Sequence, residues 1–139
     1  MKIDFTKEDT IKILYYSFCN YGLEELSSCM VDVNWSSKHN SNNYDNAKQR
    51  LIQNGKQSIC REDVWIEILN NGDTIQFIDL DNDEKINLHI EDAMVNFNSL
   101  SNEDKIDLSK MLDEDDVTTD AYDCANALQF ALYAEIIFG

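Results

Sequence analysis

The chain has 139 residues, 43% of them hydrophobic, and carries 27 acids against 11 bases for a formal net charge of −16. The length suits one domain with its own core, and the apolar content excludes wholesale disorder. A field of this sign repels nucleic acid and anionic lipid, so direct binding of nucleic acid or a membrane is excluded as a first expectation. Residues 1–139 therefore read as a single acidic domain. Proline is absent, which argues against a long hinged architecture. No stretch approaches the roughly 18 apolar residues that a membrane span needs. Met1–Asp9 carries acids where a signal peptide has its apolar core, so a cytoplasmic location is expected.

Thr6-Lys7-Glu8-Asp9 reads as a helix start, a hydroxyl cap followed by acids in the first turn. Ile11, Leu14, Tyr15 and Phe18 follow at helical spacing, and Gly22 reads as the stop. Leu23 to Cys29 suggests another short helical turn, and Met30 to Trp35 a short strand. Ser36 to Asn43 is polar and rich in turn formers, which predicts a loop. A short helix is expected from Tyr44 to Gln53, and another from Arg61 to Leu69, closed by Asn71-Gly72. Thr74 to Leu80 is strand-like, and Lys85 to Ile90 alternates with Ile86, Leu88 and Ile90 on one face. With Asp81-Asn82-Asp83-Glu84 between them, the two runs predict a β-hairpin with a charged tip. Glu91-Asp92-Ala93-Met94 opens a short helix. Ser101-Asn102-Glu103-Asp104 caps the next, which carries Ile106, Leu108, Met111 and Leu112. After Asp113-Glu114-Asp115-Asp116, Thr118 or Thr119 is expected to cap a last helix from Asp120 to Phe138. Its apolar positions Ala121, Ala125, Leu128, Leu132 and Ile136, widened by Tyr122, Phe130, Tyr133, Ile137 and Phe138, mark it as central. The fold class expected is α+β, an antiparallel β-hairpin packed against several helices with the C-terminal helix at the centre.

The charge is uneven. Residues 1–72 hold 10 acids and 8 bases, whereas residues 73–123 hold 16 acids and 3 bases, a net −13. Asp79-x-Asp81-x-Asp83 begins like an EF-hand loop, but its sixth position is Glu84 instead of glycine and its twelfth is Ile90 instead of a bidentate glutamate. Adjacent acids at Asp113 to Asp116 suit a contact surface better than a metal cage, which needs converging ligands. Cys19, Cys29, Cys60 and Cys124 form no Cys-x-x-Cys, and with two histidines, His39 and His89, no zinc spacing is assembled. The cysteines read as reduced and mostly buried. His39 falls in the polar loop and His89 on the polar face of a strand. Neither joins a nucleophile motif, there is no Gly-x-Ser-x-Gly, and the four glycines are isolated, so no phosphate-cradling loop is present. Tyr15, Tyr16, Phe18 and Tyr21 read as core, and Trp35 as an exposed interface anchor.

Several features also resemble one kind of protein: Val64-Trp65-Ile66-Glu67-Ile68-Leu69, the Asn71-Gly72 turn, Phe77-Ile78-Asp79, Asp115-Asp116-Val117-Thr118-Thr119-Asp120-Ala121 and Glu135-Ile136-Ile137-Phe138-Gly139. Together they resemble small acidic proteins of bacteria, their phages and mobile elements that have no assigned activity. The resemblance covers the C-terminal half and implies no catalytic residues. In size and charge alone, the chain is similar to phage-borne anti-CRISPR inhibitors, some of which imitate DNA.

These readings predict a non-enzymatic inhibitor or adaptor that binds protein and uses neither cofactor nor metal. Its partner would be a basic nucleic-acid-binding protein, such as a CRISPR effector or other defence nuclease. Asp81, Asp83, Glu84, Asp113, Glu114, Asp115 and Asp116 would supply the contact, with Trp35 as an anchor. The alternatives are a small metal-binding module or enzyme using the clustered carboxylates, and a structural or assembly component of a phage or mobile element.

Overall fold

The computed structural model describes residues 2–116 and 118–138. Met1, Val117 and Gly139, which belong to the N-terminal segment and to two segments that carry the resemblance, lie outside the described residues. The chain runs α1 (Lys7–Cys19), α2 (Gly22–Ser28), β1 (Val31–Val33), α3 (Lys38–Gln53), α4 (Arg61–Asn70), β2 (Ile75–Asp79), β3 (Glu84–Leu88), α5 (Ile90–Asn98), α6 (Asn102–Ser109), a single 3-10 turn at Lys110–Leu112, and α7 (Ala121–Tyr133). This is the expected α+β class, and β1 adds a third strand to the hairpin. The antiparallel order is β1-β2-β3, with Val33 opposite Phe77 and Phe77 opposite Ile86. Ile75, Phe77 and Asp79 of β2 point inward, and the residues between them are half-buried.

Helix α7 is the hub, packed by α1, α2, α5 and β3. Cys124, Ala125 and every residue from Ala127 to Leu132 are buried, so the helix is covered nearly all round. Its alanines let neighbouring backbones come close. Where α2 begins, Gly22 lies against it: a Cβ on Gly22 would stand 2.4 Å from the Ser17 carbonyl oxygen and 3.0 Å from Cys124 Cβ. Gly22 therefore opens α2 instead of stopping α1, which ends at Cys19.

The largest departure from expectation is the polar segment Ser36 to Asn43. Ser37 caps α3, accepting from the Asn40 N–H at 3.2 Å, and the helix starts at Lys38 instead of Tyr44. The polar side chains have a sheet to serve. Strand β1 ends at Val33, and beyond it the Asn40 carboxamide takes over the β2 edge, accepting from Gln76 N–H at 2.7 Å and donating to Gln76 O at 2.8 Å. Asn43 donates to Thr74 O at 3.0 Å, and His39 bonds the Thr74 hydroxyl at 2.6 Å. A helix thus stands in for the missing strand, and its carboxamides satisfy peptide groups that burial would otherwise orphan.

Other ends also differ from expectation. His89 is the N-cap of α5: its Nδ1 accepts from Glu91 N–H at 3.2 Å while its Nε2 bonds Gly72 O at 3.1 Å. Asp120, and neither threonine, caps α7 through a reciprocal pair with Asp123, at 2.9 and 3.1 Å. The helix stops at Tyr133, where Ala134 turns left-handed at φ 60°. The buried Gln129 carboxamide then draws the tail back, donating to Phe138 O at 2.7 Å and accepting from the N–H groups of Ile137 and Phe138 at 2.8 Å. Ile136 and Ile137 consequently leave the apolar face and are exposed. Ile106 is also exposed, while Lys105 is buried and donates to Ile3 O at 2.9 Å. Of the first-helix aromatics only Phe18 is fully core; Tyr15 and Tyr21 are exposed. Among the cysteines Cys124 alone is buried, Cys29 is half-buried, and Cys19 and Cys60 are exposed because they sit at helix ends.

Candidate functional site

The acidic half keeps its charge on the surface. Twelve of the sixteen acids in 73–123 are exposed, while one of the three bases in that stretch, Lys105, is buried. Lys110 lies 3.4 Å from Asp107. Among the described residues, none of Asp81, Asp83, Glu84, Asp113, Glu114, Asp115 and Asp116 forms an ion pair. Two of these acids shape their own loop. Asp113 accepts from Asp115 N–H at 3.0 Å, and Asp116 accepts from the N–H and hydroxyl of Thr118 at 2.7 and 2.6 Å. Those two Thr118 hydrogen bonds hold the Asp116 carboxyl below its ordinary range.

The predicted acids fall into two groups. Asp81, Asp83 and Glu84 form the hairpin tip, beside the C-terminal end of α7. There Tyr133 has its phenol pushed up by burial and then by the charges of Asp79 and Glu84. The carboxylate of Asp79 is turned to the tip, accepting from Asp81 N–H at 2.9 Å and from the Asn82 amide at 3.0 Å, so the first of the EF-hand-like acids stabilises a turn. Asp83 takes the left-handed conformation this turn requires, at φ 55°. Asp113 to Asp116 precede the other end of α7, whose 13 residues span about 20 Å. The two groups are separate acidic points joined by the flank of one helix.

Along that flank runs a groove of about 250 Å³. Asp104, Asp107 and Leu108 of α6 line one side at i, i+3 and i+4. Asp123, Asn126 and Phe130 of α7 line the other at i, i+3 and i+7. Thr118 and Thr119 sit at the end nearest the acidic loop, and Lys110, Met111 and Ile136 also line the space. Leu108, Met111 and Phe130 are buried and make an apolar floor. The three rim carboxylates were not singled out from the sequence. The helical spacing was readable on each helix, but their juxtaposition is made by the turn at Lys110–Leu112 and the return along α7.

The opposite half has a different cavity, about 350 Å³, lined by Trp35, Tyr44, Trp65 and Arg61 among others. Trp35 is 56% exposed, as an anchor would be. It is nevertheless held in place: its indole N–H donates to Asp32 at 3.2 Å, Arg61 lies over its ring at 5.8 Å, and its edge meets Trp65 at 5.9 Å between centroids. Arg61 in turn bonds Glu24 at 2.9 Å. Trp65 is buried, and its indole N–H has no acceptor among the described residues.

Cys19, Cys60 and Cys124 have thiols shifted away from reactivity. Burial, then the charges of Asp123 and Asp120, push the Cys124 thiol up to about 12, and partial desolvation of the sulfur raises Cys19 and Cys60 although both residues are exposed. Among the described residues no three His, Cys, Asp or Glu side chains converge as a metal site would need, and no helix is long and apolar enough to cross a membrane. Compared with family models, curated proteins and solved structures, the chain matches none.

Proposed function

We propose that this protein is a non-enzymatic inhibitor or adaptor of the cytoplasm, whose acidic half engages a basic, nucleic-acid-binding protein, such as a defence nuclease. One observation carries the reading: the exposed carboxylates of residues 73–123 are mostly left without cationic partners in their own fold. Unpaired like charges destabilise a compact chain by self-repulsion. Such a surface is explained by something outside the chain, and the complementary surface is basic. Its two acidic points, about 20 Å apart along α7, would oppose cations spread along a nucleic-acid groove.

The test is capture from lysate on immobilised protein, with washes at low and then high salt and identification of retained proteins by mass spectrometry. The wild type is compared with a variant carrying Asp113→Asn, Glu114→Gln, Asp115→Asn and Asp116→Asn. The reading expects a basic nucleic-acid-binding protein that is released by salt and retained poorly by the variant. A partner held equally by both proteins, or no salt-sensitive partner, would overturn it.

A further inference from the structure

We infer that the groove between α6 and α7 receives a lysine or arginine side chain from a basic peptide segment of a partner protein. The inference rests on the acidic-surface reading above and narrows it to one place. Long cationic side chains combine an apolar stem with a charged head, and each part needs a different wall. The groove offers both: Leu108, Met111 and Phe130 below, with Ile136 beside them, and Asp104, Asp107 and Asp123 at the rim. Lys110, itself in the groove lining, already lies 3.4 Å from Asp107, and Asp123 accepts from Asp120 N–H at 3.1 Å. The Asp104 carboxylate has no partner among the described residues and is the one most available to an incoming cation. At about 250 Å³ the space falls below the roughly 300–1,000 Å³ of pockets for drug-sized ligands. It suits one side chain better than a cofactor. Thr118 and Thr119 bring the groove to the edge of the Asp113 to Asp116 loop, so a peptide seated in it would run on to further carboxylates.

Fluorescence anisotropy with a fluorescein-labelled octapeptide of alternating lysine and alanine, at low ionic strength, tests this. Asp104→Asn with Asp107→Asn removes two charges from the rim, and Asp81→Asn with Asp83→Asn removes two from the hairpin tip. The rim pair is expected to weaken binding roughly tenfold and the tip pair less than about twofold. Ile136→Ser, which changes no charge and alters an exposed residue, is expected to weaken it about threefold. Equal losses from the two charge pairs would overturn the groove while leaving the acidic-surface reading intact. Failure of the wild type to bind the peptide at any salt concentration would overturn both. Spermidine displacing the peptide at matched charge concentration, with Ile136→Ser having no effect, would also overturn the assignment, because the apolar wall at Ile136 would then play no part.

Discussion

The two halves of this molecule use charge in opposite ways. In the first half acids and bases are nearly balanced, and five of its eight bases, Lys7, Lys12, Arg50, Lys56 and Arg61, lie within ion-pair distance of a carboxylate. Arg50 lies 3.7 Å from Glu67 and 3.8 Å from Asp73, Lys56 lies 3.4 Å from Asp63, and Arg61 bonds Glu24 at 2.9 Å. Asp63 is a small hub, also accepting from the Tyr15 hydroxyl at 2.7 Å and from Cys60 N–H at 3.1 Å. In the second half Asp73, Glu91 and Asp107 meet Arg50, Lys7 and Lys110, while the acids of the hairpin tip and of the Asp113 to Asp116 turn form no ion pair among the described residues. The contrast teaches that ion pairing inside the fold accounts for much of the charge of the first half and for little of the excess in the second, which the proposed contact surface would use.

The largest effect expected in the first half lies at a neutral side chain, Asn40. Replacing Asn40 by Ala removes three hydrogen bonds that tie α3 to Gln76 and Asn34. It leaves the Gln76 N–H without its acceptor, while Gln76 O and Asn34 O keep the backbone N–H groups of Asn34 and Ser37 at 2.9 and 3.1 Å, and is expected to cost about 2–3 kcal/mol in chemical denaturation. Asp63→Asn should cost less, about 1–2 kcal/mol, because weaker neutral bonds remain possible. Burial alone would raise the Asp63 carboxyl, but bonds from Tyr15 and Cys60 and the Lys56 ammonium hold it below its ordinary range. A lowered native value means that the stabilisation is present above the unfolded carboxyl range and is lost as pH falls through the native one. Denaturation midpoints followed from neutral pH into acid should therefore drop more steeply for the wild type than for Asp63→Asn. Removing Asp81, Asp83 and Glu84 as their amides should change stability by less than about 0.5 kcal/mol per site, and upward at low salt as self-repulsion falls. Thermal melts in dilute buffer and in added sodium chloride check the sign: salt should raise the wild-type midpoint more than that of the amide variant.

Much of this division was readable from the chain. Thr6 and Ser101 announced their helices because hydroxyl caps followed by acids satisfy orphan amides locally. The hairpin was legible because alternation is also a local signal. The helix at 38–43 was not. Asn40, Asn43 and His39 look like loop formers to any local rule, and only the truncated β1 gives their side chains something to bond. Likewise the tail from Glu135 onward carried helical spacing, yet Gln129 and the left-handed Ala134 bend it away. At the candidate site the exposed acids were identifiable from composition. Their division between the two ends of α7, and the groove that joins Asp104 and Asp107 to Asp123, depend on chain returns that no window of sequence contains.

The central proposal is that the acids of the hairpin tip and of the Asp113 to Asp116 turn serve a partner more than they serve the fold. One variant tests it directly: amides at Asp81, Asp83, Glu84, Asp113, Glu114, Asp115 and Asp116 together, measured for unfolding free energy at low salt beside the wild type. Unchanged or increased stability, with salt-sensitive retention of a basic protein lost, is the predicted result. A loss of several kcal/mol would contradict the account, since these carboxylates would then be holding the fold together.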